Sequence, residues 1–226
     1  MKYDVINKSL FVKNRRNFIE KMKPKSIAFF NSNDLYPVSA DTTLPFEQHR
    51  DFFYLSGIDQ EESVLLLFKN ENNSETKEIL FLIKPNSTLT HWEGEKICAK
   101  KAFIISGVKT VHWLEDLENI TEKLISSVEN IYTNNNEHYR AKVVTETREA
   151  RFNKWIQKKY SNKKIERSNP ILQQLRAVKD SIEIELIKKA CDITEKGFRR
   201  ILSFVKPGVW EYEIEAEFSH EFLKNR

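Results

Sequence analysis

Apolar positions recur along this chain at two spacings, and their alternation predicts strands interleaved with helices. From Lys8 to Met22, behind Asn7, the residues Leu10, Phe11, Phe18, Ile19 and Met22 share one face of a helix that Pro24 ends. Ser26 to Asn31 (SIAFFN) has the continuous apolar character of a short buried strand, and Asn31 to Pro45 follows as a long polar loop. The stretch from Asp41 to Phe68 is the densest in signal. It turns at Pro45, gathers Phe46, Phe52, Phe53 and Tyr54, turns again at Ser56-Gly57, and ends in an apolar run. Taken alone it is an aromatic-rich turn packed on a sheet. Val64 to Phe68 is too short for a helix and fits a strand covered on both faces. Glu62 to Phe68 and Glu78 to Ile83 read as neighbouring hairpin strands, with the Asn-rich Lys69 to Lys77 as their solvated tip.

Further on, Lys84 to Lys96 reads as a loop carrying His91, Trp92 and Gly94. Ile97 to Ser106 is a helix closed by Gly107, and Thr110 to Trp113 is a strand. Asp116 to Val128 is an amphipathic helix, Asn130 to Thr133 a strand, and Thr147 to Tyr160 a helix with Phe152, Trp155, Ile156 and Tyr160 in one stripe. Strands alternating with helices of this length argue an α/β domain over residues 1–170, its mixed β-sheet flanked by helices.

The character changes at Asn169-Pro170. Ile171 to Lys179 leads into a long helix that starts at Asp180 or Ser181 and runs to about Leu202. Asp180 and Glu183 stand at capping-box distance. Ile187, Cys191, Thr194, Phe198 and Ile201 form an inner stripe, and Glu185/Lys189 and Glu195/Arg199 can pair at i,i+4. Lys206-Pro207-Gly208 breaks this helix, and Trp210, Ile214, Phe218 and Phe222 mark a second. Two such helices cannot bury both stripes alone, so residues 171–226 read as the start of a further domain, prone to self-association or disorder.

Composition narrows the function classes. Of 226 residues, 40% are hydrophobic and 31% charged, with a net charge of only +4, so a true core forms and no basic face for nucleic acid stands out. The densest basic run, Lys158 to Arg167, lies past a helix end and reads as a solvated complement to that helix terminus. Cys98 and Cys191 fall in different predicted helices and read as small core residues of a reducing compartment. Neither a signal peptide nor a membrane-length apolar segment is present, which points to a cytoplasmic protein. Glu217, His220 and Glu221 share a helical face at spacing that could hold a divalent ion. Glu211, Glu213 and Glu215 beside them make a solvated acidic face the simpler reading. No phosphate-binding loop, cysteine cluster or nucleophile elbow occurs.

The segment LPFEQHRDFFYLSG resembles the N-terminal domain of the Xaa-Pro aminopeptidases, whose pattern is Tyr-Pro-Phe-x-Gln-x-Ser-Asp-Phe-x-Tyr-Leu-Thr-Gly. Pro45, Phe46, Gln48, Asp51, Phe52, Tyr54, Leu55 and Gly57 match it; Leu44, Arg50 and Ser56 depart from it. Trp92 and Gly94 resemble the family's Trp-x-Gly-x-Arg, with Lys96 for the arginine. LRAVKDSIEIELIKKACDIT and KPGVWEYEIEAEFSHEF resemble the opening two helices of the pita-bread metallopeptidase domain, matching at Arg176, Lys179, Glu183, Ile184, Ala190, Pro207, Gly208, Glu211, Tyr212, Glu213 and Phe222.

What the resemblance implies is a parent enzyme with two divalent metal ions, commonly manganese, that releases the N-terminal residue from peptides with penultimate proline. The N-terminal domain would wall the pocket and build a homo-oligomer, acting on a peptide substrate with no nucleic acid or membrane partner. The family's metal ligands and substrate-contacting histidine lie beyond Arg226. The expectation is therefore no catalytic residue and no metal ligand within this chain, and silence as an enzyme on its own. Trp92 is the one substrate-binding candidate, set against the simpler reading of a loop anchor over the sheet edge. A creatinase-type hydrolase and a non-enzymatic assembly module remain alternatives.

Overall fold

The computed structural model describes residues 3–71, 75–140 and 144–225, and the expected hairpin tip at Asn72 to Ser74 lies outside them. The chain divides into two compact units: Asn7–Ala177, and Met1–Ile6 with Val178–Arg226. In the first unit six strands form a mixed sheet. They are β1 (Ser26–Asn31), β4 (Val64–Lys69), β5 (Thr76–Leu82), β6 (Thr110–Trp113), β7 (Asn130–Thr133) and β8 (Lys164–Arg167), in the order β6-β5-β4-β1-β7-β8. β1 and β4 pair antiparallel with Ile27 opposite Phe68 and Phe29 opposite Leu66; β4 and β5 also run antiparallel. The outer joints, β5 to β6, β1 to β7 and β7 to β8, are parallel.

The expected mixed sheet flanked by helices is what forms, and its physical reason is visible in the side-chain alternation. Ala28, Phe30, Leu65, Leu67, Leu80 and Leu82 enter one core. Their neighbours Ile27, Phe29, Val64, Leu66, Ile79 and Phe81 enter the other. The first core is shared with α1 (Ser9–Lys21), α2 (Arg50–Ser56), α4 (Ala99–Ser106) and α7 (Asn169–Ala177), through Phe18, Phe52, Ala102 and Leu172. The second is shared with α5 (Leu117–Ile125) and α6 (Arg148–Lys159), through Ile125 and Ile156. Strands sealed on both faces have no polar side to show, so their sequences read as unbroken apolar runs.

Several expectations are corrected. The aromatic segment before Gly57 is helical, as α2: its apolar residues meet the sheet on one face only. The polar loop after β1 contains an exposed two-stranded hairpin, β2 (Pro37–Ser39) with β3 (Thr42–Thr43). Trp92 lies on a short helix, α3 (Ser87–Glu93), where the sequence suggests a loop. The basic run past α6 ends in strand β8, an edge strand whose charges face solvent, as sheet edges favour. Cys98 and Cys191 are both exposed rather than core. Cys98 sits before the first turn of α4, outside its packed face.

The second unit consists chiefly of α8 (Ser181–Phe204) and α9 (Glu211–Asn225). The Asp180–Glu183 capping box forms as expected: Asp180 accepts from the Ile182 N–H at 2.9 Å, and the Asp180 N–H donates to Glu183 at 2.8 Å. Glu195 and Arg199 pair as expected. Glu185 instead pairs with Lys188, because Lys189 reaches Asp4 of the N-terminal segment. Where α8 crosses α9, Gly197 admits the Phe218 ring: a Cβ there would stand 2.5 Å from it. Phe198 packs edge-on against Phe218 at 5.3 Å but remains 57% exposed.

Two local constraints hold α2 in place. At its C-terminus Gly57 adopts the left-handed conformation (φ 67°), and its N–H donates to the Phe53 carbonyl at 2.8 Å. At its N-terminus the His49 Nδ1 accepts from the Asp51 N–H at 3.3 Å, while Nε2 faces Glu149 on α6 at 3.5 Å. Burial lowers the His49 pKa, but the hydrogen bond and charge of Glu149, with Asp51, outweigh burial and the opposing Arg176; the net shift is upward.

Gly57→Ala combines left-handed strain with a Cβ 2.3 Å from the Phe11 ring. It should lower stability by about 2–4 kcal/mol in urea unfolding, and Phe11→Leu should recover part of that loss. His49 should titrate above its ordinary 6.5 by NMR. Glu149→Gln should lower it, since the main groups opposing burial and Arg176 are then lost and only the Asp51 charge still raises it. A raised pKa stabilises the fold most fully below the ordinary value and loses that contribution as pH rises through the folded one. Replacing Glu149 should therefore cost more stability at pH near 5.5 than near 8.5, values chosen to lie about one unit or more either side of an ordinary histidine.

Candidate functional site

Trp92 is the sequence-derived candidate, and the structure places it at the surface, 83% exposed. α3 begins on Asn86, whose Oδ1 accepts from the Thr88 N–H at 2.9 Å, and ends on Gly94 with φ 79° and open space where a Cβ would be. The Trp92 indole meets the His91 ring edge-on at 5.3 Å. A large apolar ring displayed in this way adds little to a core and offers a flat face to whatever approaches.

Behind the ring lies a connection that sequence reasoning missed. Lys96 forms ion pairs with Glu61 and with Glu93, the latter at 3.2 Å. Next to it, the Ile97 N–H donates to the Gln60 Oε1 at 2.6 Å. The Gln60 carbonyl in turn accepts from the Gln48 Nε2 at 2.9 Å, and that same amide reaches the Ile58 carbonyl at 3.0 Å. Gln48 thus ties the segment before α2 to the turn after it, and Gln60 ties that turn to the chain bearing Trp92. Gln48, at a family-matching position, and Lys96, at the family's arginine position, were the available signals; Glu61 left none.

A polar cavity of about 590 Å³ opens on the other side of the Gln48 segment, with Gln48, His49, Asp51, Glu149 and Arg176 among its walls. Asp51 forms an ion pair with Arg176 and accepts from the Asn134 Nδ2 at 3.0 Å. The guanidinium also lies over the Tyr54 ring at 5.6 Å. Asp51, Tyr54 and Arg176 come from the two motif segments singled out in the sequence, and this cluster brings them together. These contacts tie α2 to α7 and to the chain that follows β7.

The Glu217, His220 and Glu221 face does not converge. Arg200 on α8 engages both Glu217 and Glu221, and His220 is exposed. Among the described residues no group of three or more His, Cys, Asp or Glu side chains could hold a metal ion, so the donors described on this chain do not fit the divalent pair implied by the resemblance. Among the same residues no helix is long and apolar enough to cross a membrane.

Comparison with known proteins agrees with this architecture. Residues 185–226 match the family described as Metallopeptidase family M24. The Xaa-Pro aminopeptidase of Escherichia coli (strain K12) is 25% identical over 97% of this chain and 50% of its own length. That of Haemophilus influenzae is 26% identical over 96% and 48%. Among solved structures, a proposed aminopeptidase P from Bacillus anthracis superposes with a TM-score of 0.88 at 26% identity, over 97% of this chain and 52% of that one. Escherichia coli aminopeptidase P with the inhibitor Pro-Leu gives 0.83 at 24% identity, over 98% and 50%. The chain spans about half the length of the curated relatives it matches. Residues 11–132, just over half of the chain, match the family described as Aminopeptidase P, N-terminal domain. The chain belongs to the aminopeptidase P family.

Proposed function

We propose that this chain is the N-terminal portion of a cytoplasmic, metal-dependent Xaa-Pro aminopeptidase, in which residues 1–170 wall the substrate pocket and join subunits. Residues 171–226 then open the metallopeptidase domain. The observation that carries this reading is Trp92: a fully presented aromatic ring, on its own short helix, in a chain whose relatives are named Xaa-Pro aminopeptidases. An indole face complements the apolar pyrrolidine ring of a penultimate proline and can exclude water beside the bond being cut. In the longer protein a pair of divalent ions, manganese by family resemblance, supplies the activated water. This chain's part is to shape and close the site.

A non-enzymatic assembly module is the rival reading, and one observation favours it. Ile187, Trp210 and Leu223 of the second unit are exposed at 48%, 67% and 81%. Unpartnered apolar surface of that kind serves association as readily as it serves a following domain.

Two measurements separate these. In the longer, oligomeric enzyme, Trp92→Ala should lower kcat/KM for an Xaa-Pro peptide by about ten-fold, roughly 1.4 kcal/mol of transition-state binding. The melting temperature should move by no more than about 2 °C, since an exposed ring carries little packing. A stability loss with activity spared would return Trp92 to the role of an anchor. The 226-residue chain alone, assayed on the same peptide with excess manganese, should show no proline-directed cleavage and should self-associate through residues 180–226. Turnover above background, or a well-ordered monomer by mass measurement, would overturn the corresponding half of this expectation.

A further inference from the structure

We propose that Lys96 is a positioning residue for Trp92, acting with Glu61, Glu93 and Gln60 as a strap that fixes the orientation of the displayed indole. The inference rests on the reading of Trp92 given above only for its consequence in catalysis; the strap itself is a matter of geometry.

α3 has seven residues, and a helix of that length does not hold itself in water. His91, Trp92, Glu93, Gly94 and Glu95 are all exposed, so this part of the segment has almost no packing to hold it. Attachment resumes at Lys96 and Ile97. The Lys96 side chain is 16% exposed and its Glu61 partner 13%, so this pair is screened far less than a surface ion pair. The Lys96 ammonium lies above its ordinary pKa range: burial pulls it down, and Glu61 and Glu93 more than restore it. Because Glu93 is the last residue of α3, the same ammonium clamps the helix end and the chain body at once. Gln60 supplies the second fixing point. It is 5% exposed, and its amide orientation is set by the Ile97 N–H, which only Oε1 can accept. Ile97 itself packs against the first core. The strap therefore holds the chain four residues beyond the ring and also the turn on which the ring sits. Gly94 between them has φ 79° and no neighbour within 4 Å of an added Cβ, so local packing does not fix this joint and the ion pair must.

The test uses the 226-residue chain labelled with 5-fluorotryptophan, which carries four tryptophans. Trp92→Phe assigns the Trp92 resonance, and its ¹⁹F relaxation reports how firmly the ring is held. Lys96→Met and, separately, Glu61→Gln should narrow the Trp92 line at least two-fold while the Trp113 and Trp155 lines stay as they are. Lys96→Arg, which keeps both ion pairs, should leave the Trp92 line at its original width. An unchanged Trp92 line in both Lys96→Met and Glu61→Gln overturns the proposal. So does narrowing of all the tryptophan lines together, which marks a general loss of fold. In the longer enzyme, Lys96→Met should lower kcat/KM for the Xaa-Pro peptide about as much as Trp92→Ala does, with Lys96→Arg restoring it. If the ring loosens yet kcat/KM does not move, the strap stands and it is the assignment of Trp92 to the substrate pocket that fails.

Discussion

Arg15 is the interaction on which the N-terminal unit depends. Its side chain has no exposed surface; Nε meets Glu78 of β5 at 2.9 Å and Nη1 donates to the Leu55 carbonyl in the last turn of α2 at 2.8 Å. Burial pulls the guanidinium pKa down and Glu78 only partly opposes it, so the net shift is downward. Removing one partner from such a pair costs about 3–5 kcal/mol, a large part of the roughly 5–15 kcal/mol by which domains are stable. A buried charge has one acceptable arrangement, so α1, the end of α2 and β5 share a single register. Asn14, beside it, donates to the Tyr54 carbonyl at 2.9 Å and closes the same joint. The turn at Gly57, the Gln60 contact and the Lys96 strap all begin from the helix end fixed here.

What could be read in advance follows from which forces are local. β1, β4 and β5 declare themselves because a strand buried on both faces must be apolar throughout. The Asp180–Glu183 box is legible because both partners lie within one turn. α2 is hidden by its aromatic content, which suits a packed turn equally well, and β8 by the charges that make it a safe edge. Exposure of Cys98 and Cys191 turns on which way a helix faces, and that is decided by partners distant in the chain. Trp92 is singled out by motif resemblance, and its exposure on α3 is what the structure adds. Its support was only half legible: Lys96 stands at the motif's arginine position, but its partner Glu61 is an ordinary surface residue type, and their meeting depends on the path of two loops.

The aminopeptidase P resemblance and the physical reading meet at the same residues. Gln48, Asp51, Tyr54 and Gly57 are motif positions, and each has a structural reason to be there. Gln48 bridges the ends of α2, Asp51 holds Arg176, Tyr54 receives that guanidinium on its ring, and Gly57 turns the chain in a left-handed conformation. A pattern of this kind identifies a scaffold first. The displayed indole of Trp92 stands outside this scaffold, 83% exposed.

The strand order also has a consequence for synthesis of the chain. β1, β4 and β5 form the antiparallel centre and are complete once Leu82 has emerged. Both rims of this three-stranded meander then stay open, because β5 waits for β6 and β1 waits for β7, each joined in parallel after a helical crossover. Such long-range pairings close slowly, and open apolar rims are where nascent chains stick to one another. The rim strands β6, β7 and β8 are therefore the last to be synthesised, and the sheet is completed at its edges. The last of them in sequence, β8, brings Lys164, Glu166 and Arg167 to the edge beside β7, where charges oppose further pairing.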